Sequence, residues 1–164
     1  MKEHDQAVSA IAAARTAGAP DYAADEFAAA EASLERYDEF VTQRDYKQAL
    51  GAAIDSRDRA FESAKTAATR QQVLRVEATQ LLSALDAAIV ATDAQLKTVR
   101  PRTMAKAVDK LRQTRKAATT AMQEARTQIE SGLLLKAVQR LTDATAAVKR
   151  DSAALEEAAR KPKK

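Results

Sequence analysis

Residues 52–99 contain neither glycine nor proline and read AAIDSRDRAFESAKTAATRQQVLRVEATQLLSALDAAIVATDAQLKTV. Strong helix formers, such as alanine, leucine, arginine, glutamine and lysine, make up most of this stretch. Asp45, a few residues upstream, is a type that caps helix N-termini. The sequence therefore predicts one helix from about Asp45 to about Thr98, with the polar residues 69–72 as the expected place of any bend or break.

The whole chain has the composition of a helical protein. Its 164 residues are 46% hydrophobic but only 4% aromatic, with three glycines, three prolines and no cysteine or tryptophan. The apolar residues recur at alternating steps of three and four, the spacing of one face of an α-helix. No apolar run approaches the roughly 18–20 residues of a membrane span. These features predict an all-α fold without a transmembrane segment.

Glycine and proline mark where the helices end. Gly18 suits the position after a helix C-terminus, and Pro20 suits the start of the next helix. Pro101 and Gly132 mark two later breaks, and Ser131 is a candidate N-cap for the last helix. We expect helical segments over residues 1–17, 21–43, 45–70, 72–99, 102–130 and 133–160, the third running directly into the fourth.

A weak internal repeat groups these segments into two units. Residues 7–14 resemble residues 81–88, and residues 46–50 resemble residues 134–138. The two offsets, 74 and 88 residues, differ by 14, which is two heptads and preserves the apolar seam. The repeat predicts an elongated antiparallel helical bundle of two tandem three-helix units that share a long central helix. They span residues 1–70 and residues 71–164, the second with a basic C-terminal tail.

Alanine occupies many positions of the predicted seam between helices. Small side chains let helices approach to the ~8 Å end of interhelical distances, but each buries little apolar area. Stability then depends on many contacts along long helices. The larger residues expected at the seam include Phe27, Leu34, Leu85, Val108, Leu111, Met122, Leu134, Leu141, Val148 and Leu155.

Two family resemblances lie in the first half of the chain. Residues 42–50, TQRDYKQAL, resemble the turn of a tetratricopeptide repeat, with Arg44 where those repeats often carry glycine. The stretches AAARTAGAPDYA at 12–23, AAEASL at 29–34 and RDY at 44–46 resemble the alanine-rich helical domain of bacterial envelope lipoproteins. This second resemblance covers residues 7–68. It implies a periplasmic, outer-membrane-associated lipoprotein with a signal peptide and a lipidated cysteine, and it brings no catalytic residues. A cytoplasmic location stays open.

The residue types that enzymes need are scarce. The single histidine, His4, is expected to be a solvated terminal side chain, and the absence of cysteine rules out thiolate chemistry. The three glycines are too far apart for a phosphate-binding loop. Glu31, Glu35 and Glu39 share one helix face, but a ferritin-like di-metal site also requires histidines. The sequence predicts a non-enzyme without metal or cofactor.

Charge is distributed unevenly along the chain. Residues 1–82 carry 10 basic and 14 acidic side chains, whereas residues 83–164 carry 17 and 9, so the halves have net charges of −4 and +8. The strongest concentration, here called the basic cluster, comprises Lys97, Arg100, Arg102, Lys106, Lys110, Arg112, Arg115 and Lys116. It is either a solvated face or a site for an anionic partner such as lipid headgroups, cell-wall polymer or an acidic protein. Nucleic acid is disfavoured because no aromatic residue follows Phe61.

The aromatic residues leave two functions open. Phe27, Tyr37, Phe40, Tyr46 and Phe61 lie in the first unit, where they either fill the core or line an apolar groove between helices. We expect a non-catalytic helical binding or scaffolding module of the bacterial envelope that binds a protein or an anionic component. The alternative is a periplasmic carrier that binds a lipid-like molecule between helices. Self-association through the acidic second helix is also open.

Overall fold

The structure, a computed structural model, describes residues 2–99 and 104–160. These residues form no strand and six helices: α1 (Lys2–Thr16), α2 (Ala19–Tyr22), α3 (Ala24–Thr42), α4 (Tyr46–Thr98), α5 (Ala105–Glu130) and α6 (Leu134–Arg160). The predicted all-α helical bundle is confirmed. The predicted break at Pro101 lies outside the described residues.

The chain divides into two compact units, Met1–Val73 and Leu74–Lys164. The 53-residue helix α4 contributes residues 46–73 to unit 1 and residues 74–98 to unit 2. It runs without interruption through the polar residues 69–72.

The core of unit 1 is built from small side chains. The inner face of α4 presents a run of fully buried alanines and serines, namely Ala49, Ala53, Ser56, Ala60, Ser63 and Ala67. Ala10 and Ala14 of α1, together with Phe27 and Ala30 of α3, pack against this face. The Ser56 Oγ donates a hydrogen bond to the carbonyl oxygen of Ala30 at 2.9 Å, so the buried hydroxyl also joins α4 to α3.

The core of unit 2 contains larger side chains. The most deeply buried are Leu85, Leu111, Leu134, Leu141, Val148 and Leu155. Each buried leucine contributes roughly 1.5–3 kcal/mol through the apolar surface it removes from water. All six are among the predicted seam residues. Unit 2 therefore depends on a leucine core, whereas unit 1 depends on close contact between alanines.

Three helix ends carry a residue in the left-handed conformation. Gly18, Arg44 and Gly132 have φ values of 82°, 59° and 76°. At the end of α3, the Asp45 N–H donates to the Phe40 carbonyl and the Arg44 N–H to the Val41 carbonyl, the Schellman pattern. The Asp45 carboxylate then accepts a hydrogen bond from the Gln48 N–H at 3.0 Å, which confirms the predicted cap of α4.

The prediction that Ser131 caps the start of the last helix is wrong. Ser131 ends α5 instead, where its Oγ donates to the Thr127 carbonyl at 2.8 Å. The Leu133 N–H donates to the Gln128 carbonyl. Glycine in the left-handed position at 132 completes a C-terminal cap and leaves no role for Ser131 at the start of α6.

The turn between α1 and α3 differs from the prediction of a single restart at residue 21. A one-turn helix, α2, begins at Ala19, and Ala23 then leaves the helical conformation, with φ −148° and ψ 48°, before α3. Side chains of α4 stabilise this arrangement. The Arg70 guanidinium donates to the Tyr22 carbonyl and the Gln71 amide donates to the Ala17 carbonyl, both at 2.9 Å. The polar residues of α4 here cap neighbouring helix ends.

The expectation that His4 is solvated is also wrong. Its ring stacks on Tyr37, with ring centroids 4.7 Å apart, and its side chain is only 31% exposed. The first turn of α1 therefore packs against α3.

Candidate functional site

An open groove runs between α5 and α6 of unit 2. Its volume is about 710 Å³. The alanines of its floor are Ala117, Ala118 and Ala121 on α5 and Ala144 and Ala147 on α6. Because these side chains end at Cβ, the surface between the two helix backbones stays concave and can accept side chains of a ligand.

Polar groups surround this apolar floor. Lys136 and Arg140 of α6 line one side of the groove, and Arg140 also pairs with Glu124 of α5. The Oε1 atom of Gln128, also at the groove, is buried and accepts no hydrogen bond from a described group. A ligand that supplied a donor there would satisfy this atom, since buried polar atoms are nearly always hydrogen-bonded.

A buried carboxylate fixes α5 against α6 beside the groove. Asp151 is only 2% exposed, and it accepts hydrogen bonds from Thr114 at 2.7 Å and Arg150 at 2.9 Å. The Lys110 ammonium lies 3.3 Å away. The Arg150 hydrogen bond, with the Thr114 and Lys110 contacts, lowers the pKa of Asp151 to about 2 against the opposing effect of burial. Asp151 therefore stays charged at neutral pH.

Two further polar contacts join α4 to the α5–α6 pair. Arg115 donates two hydrogen bonds to Asp93, each 2.7 Å long, and they lower the pKa of the Asp93 carboxyl. The Gln95 amide donates to the Ser152 carbonyl at 3.0 Å and accepts from the Ser152 Oγ at 2.6 Å. Both walls of the groove are thus held by α4.

The basic cluster does not act as one uniform patch. Arg115 and Lys110 pair with Asp93 and Asp151, and Arg112 lies 3.6 Å from Asp109. Lys97, Lys106 and Lys116 are exposed. Within residues 2–99 and 104–160, no carboxylate forms an ion pair with Lys106 or Lys116, so these two ammonium groups are available to an anion. Arg100 and Arg102 lie outside the described residues.

The five aromatic residues of the predicted apolar groove occupy different environments. Phe27 and Tyr37 are buried in the cores of unit 1. Phe40 lines a small cleft of about 240 Å³ between α3 and α4. Tyr46 is 59% exposed and Phe61 is 56% exposed. The structure does not gather all five around one cavity.

A second groove, between α1 and α4 of unit 1, contains Phe61. Its volume is about 930 Å³, and Ser9, Ala10 and Ala13 of α1 line it opposite Phe61. Lys2, Asp5, Gln6, Arg57 and Asp58 complete the lining. This groove is wide and carries charges of both signs, with one large apolar side chain.

The sequence interpretation missed the α5–α6 groove. The sequence does contain a pattern that indicates this groove. Thr114, Ala117 and Ala121 recur at steps of three and four beside the buried residues Leu111 and Ala118. A second line of small residues next to a seam marks a helix face that can accept another helix.

No protein-family model, curated protein or solved structure matches this chain. Among the described helices, none combines the length and the apolar character needed to span a membrane. Function is therefore inferred from the geometry and charge of the chain.

Proposed function

We propose that this chain is a non-catalytic binding or scaffolding module of the bacterial envelope, and that its partner binds in the α5–α6 groove. The groove supports the proposal most directly. It has a volume of about 710 Å³ and an apolar floor, and it lies on a face of unit 2 that the rest of the unit leaves open. The Asp151 and Asp93 contacts hold its walls in place, so little ordering is needed on binding. The envelope location rests on the sequence resemblance over residues 7–68.

The charges around the groove favour an acidic partner. Helices α5 and α6 together carry 11 basic and 7 acidic side chains. Lys136 and Arg140 lie at the groove, and the exposed Lys106 and Lys116 lie on α5. Positive charge of this kind raises the association rate of an anionic protein or polymer.

The proposal is tested by a pull-down from a bacterial envelope fraction that compares the parent chain with a variant whose groove is filled by tryptophan side chains. The parent chain should retain a defined partner, and the Ala117→Trp/Ala147→Trp variant should lose it because the indole rings occupy the floor. Ala146→Trp is the matched control, since Ala146 is exposed on α6 but does not line the groove. Equal retention by the filled variant would exclude the groove as the binding site. Failure of the parent to retain any partner would reject the binding module.

We also propose an alternative, a carrier for a lipid-like molecule, which the α1–α4 groove favours. Its volume of about 930 Å³ and the exposed ring of Phe61 suit an acyl chain or a sterol. A bound ligand would raise the melting temperature by linkage. The experiment is a thermal-shift series with fatty acids, sterols and phospholipids on the parent and on Phe61→Ser. No shift of the parent with any of these lipids would reject the carrier.

A further inference from the structure

We propose that the α5–α6 groove binds helix α3 of a second copy of this chain. The proposal rests on the proposed function, because it assigns an occupant to the same groove. It commits to a second copy because α3 has the side-chain sizes and the charge that the groove requires.

The floor of the groove requires a helix with a slim contact face. Two helix backbones approach closely only where the side chains between them are small. Alanines already occupy the floor, so alanines on the incoming helix would let its backbone approach along that floor. The outer face of α3 presents Ala24, Ala28 and Ala32, which are exposed and recur every four residues.

The groove and α3 have opposite charges. Helix α3 carries six carboxylates and one arginine, a net charge of −5, whereas the groove lining carries Lys136 and Arg140 against one carboxylate, Asp143, on two helices whose joint net charge is +4. Asp25, Glu35 and Glu39 flank the alanines of α3 and are exposed, as are Lys136 and Arg140 beside the groove. Alanine contacts bury little area, so the charges would set orientation and register.

The interior of unit 1 does not compete for this face of α3. Its inward residues are Phe27, Ala30, Ser33 and Tyr37, which lie on the opposite side of the helix from Ala28 and Ala32. The outer face of α3 can therefore enter the groove of another copy while unit 1 stays folded. Because the groove and the outer face of α3 are different surfaces, the contact between two copies is heterologous.

Sedimentation of the full chain across protein concentration and salt tests the proposal. The parent should associate at low salt and dissociate as salt rises, since exposed charges are screened beyond about 8 Å at physiological ionic strength. Glu35→Lys/Glu39→Lys alone, or Lys136→Glu/Arg140→Glu alone, should weaken association about tenfold or more. An equimolar mixture of the two variants should associate again. Helicity measured by circular dichroism should be unchanged, because all four side chains are exposed and the ion pair that Arg140 forms with Glu124 lies at the surface.

Cysteine cross-linking locates the contact, since these 164 residues include no cysteine. Chains with Ala28→Cys mixed with chains with Ala147→Cys should form a mixed disulfide dimer. Ala146→Cys in place of Ala147→Cys should not. Each chain carries one thiol, so any cross-link joins two copies.

The outcomes separate this proposal from the proposed function. A parent that stays monomeric at low salt and high concentration overturns the second copy, even if a groove-dependent partner is still retained from the envelope fraction. Association that both charge-reversed variants keep also overturns it. Loss of the envelope partner in the filled variant, with self-association intact, would place the second copy elsewhere and likewise overturn it.

Discussion

Arg44 occupies a backbone conformation that suits glycine. Its φ of 59° lies in the left-handed region, which costs an L-residue roughly 1–2 kcal/mol. We expect Arg44→Gly to raise the free energy of unfolding by about 1 kcal/mol. Urea denaturation measures the change. Lys47→Gly, in the first turn of α4, is the matched control and should lower stability instead, and a loss of stability in Arg44→Gly would contradict the role assigned to its φ.

Asp151 links the stability of unit 2 to pH. Its pKa in the folded chain is about 2, below the ordinary value of 3.8. The charged form is therefore favoured by folding, and its contribution is present above about pH 4 and lost as the pH falls toward about 2. We expect Asp151→Asn to cost about 2 kcal/mol at neutral pH, as measured by denaturation.

The same variant should flatten the acid side of the stability profile. Asp86→Asn serves as the control, since Asp86 is exposed on α4 of the same unit and its removal should leave the profile close to that of the parent. If Asp151→Asn showed the parent's slope between about pH 4 and pH 2, the contacts from Arg150, Thr114 and Lys110 would not explain the acid sensitivity.

At the scale of an element, the inner face of α4 tolerates no added volume in unit 1. Ala60 is fully buried against α1 and α3, and Ala60→Leu would push those helices apart. We expect a loss of about 2 kcal/mol or more. Ala68→Leu places the same side chain on an exposed position of α4 and should change stability by less than about 0.5 kcal/mol. Similar effects of the two substitutions in thermal unfolding would show that the alanine seam is loosely packed.

Local sequence patterns predict the helices because helix formation and helix ends depend on residues that are close in sequence. The absence of glycine and proline after Ala52 predicts a continuous α4, and Asp45 predicts its capped start. The causes of the misassigned features are contacts between residues distant in sequence. Gln71 reaches Ala17 across 54 positions, and His4 meets Tyr37, so neither the turn around α2 nor the burial of His4 follows from periodicity. The α5–α6 groove also depends on which faces of two helices meet.

At the scale of the whole molecule, the uneven charge predicts salt-sensitive binding to anionic surfaces. Lys106 and Lys116 are exposed, whereas Lys110 and Arg115 take part in structural ion pairs. We expect Lys106→Gln/Lys116→Gln to weaken binding to phosphatidylglycerol-containing vesicles about tenfold and to reduce its salt dependence. Vesicle co-sedimentation measures both quantities.

The matched control removes two exposed lysines from unit 1. Lys47→Gln/Lys65→Gln changes the net charge by the same amount, so a purely global effect of charge would weaken binding equally in the two variants. Equal weakening would show that Lys106 and Lys116 form no site. Vesicles of phosphatidylethanolamine alone should bind neither variant nor the parent.

The alanine and serine face of α4 repeats itself along its middle but not at its end in unit 1. A slip of α4 by seven residues would put Ala60 in the place of Ala53, Ser63 in the place of Ser56 and Ala67 in the place of Ala60, each pair being identical. The same slip would bring Arg70 to the place of Ser63 and Leu74 to the place of Ala67, two positions that are fully buried. It would also remove the hydrogen bond from Gln71 to Ala17. The residues that follow the alanine and serine run therefore select the native alignment of α4, since the run itself does not.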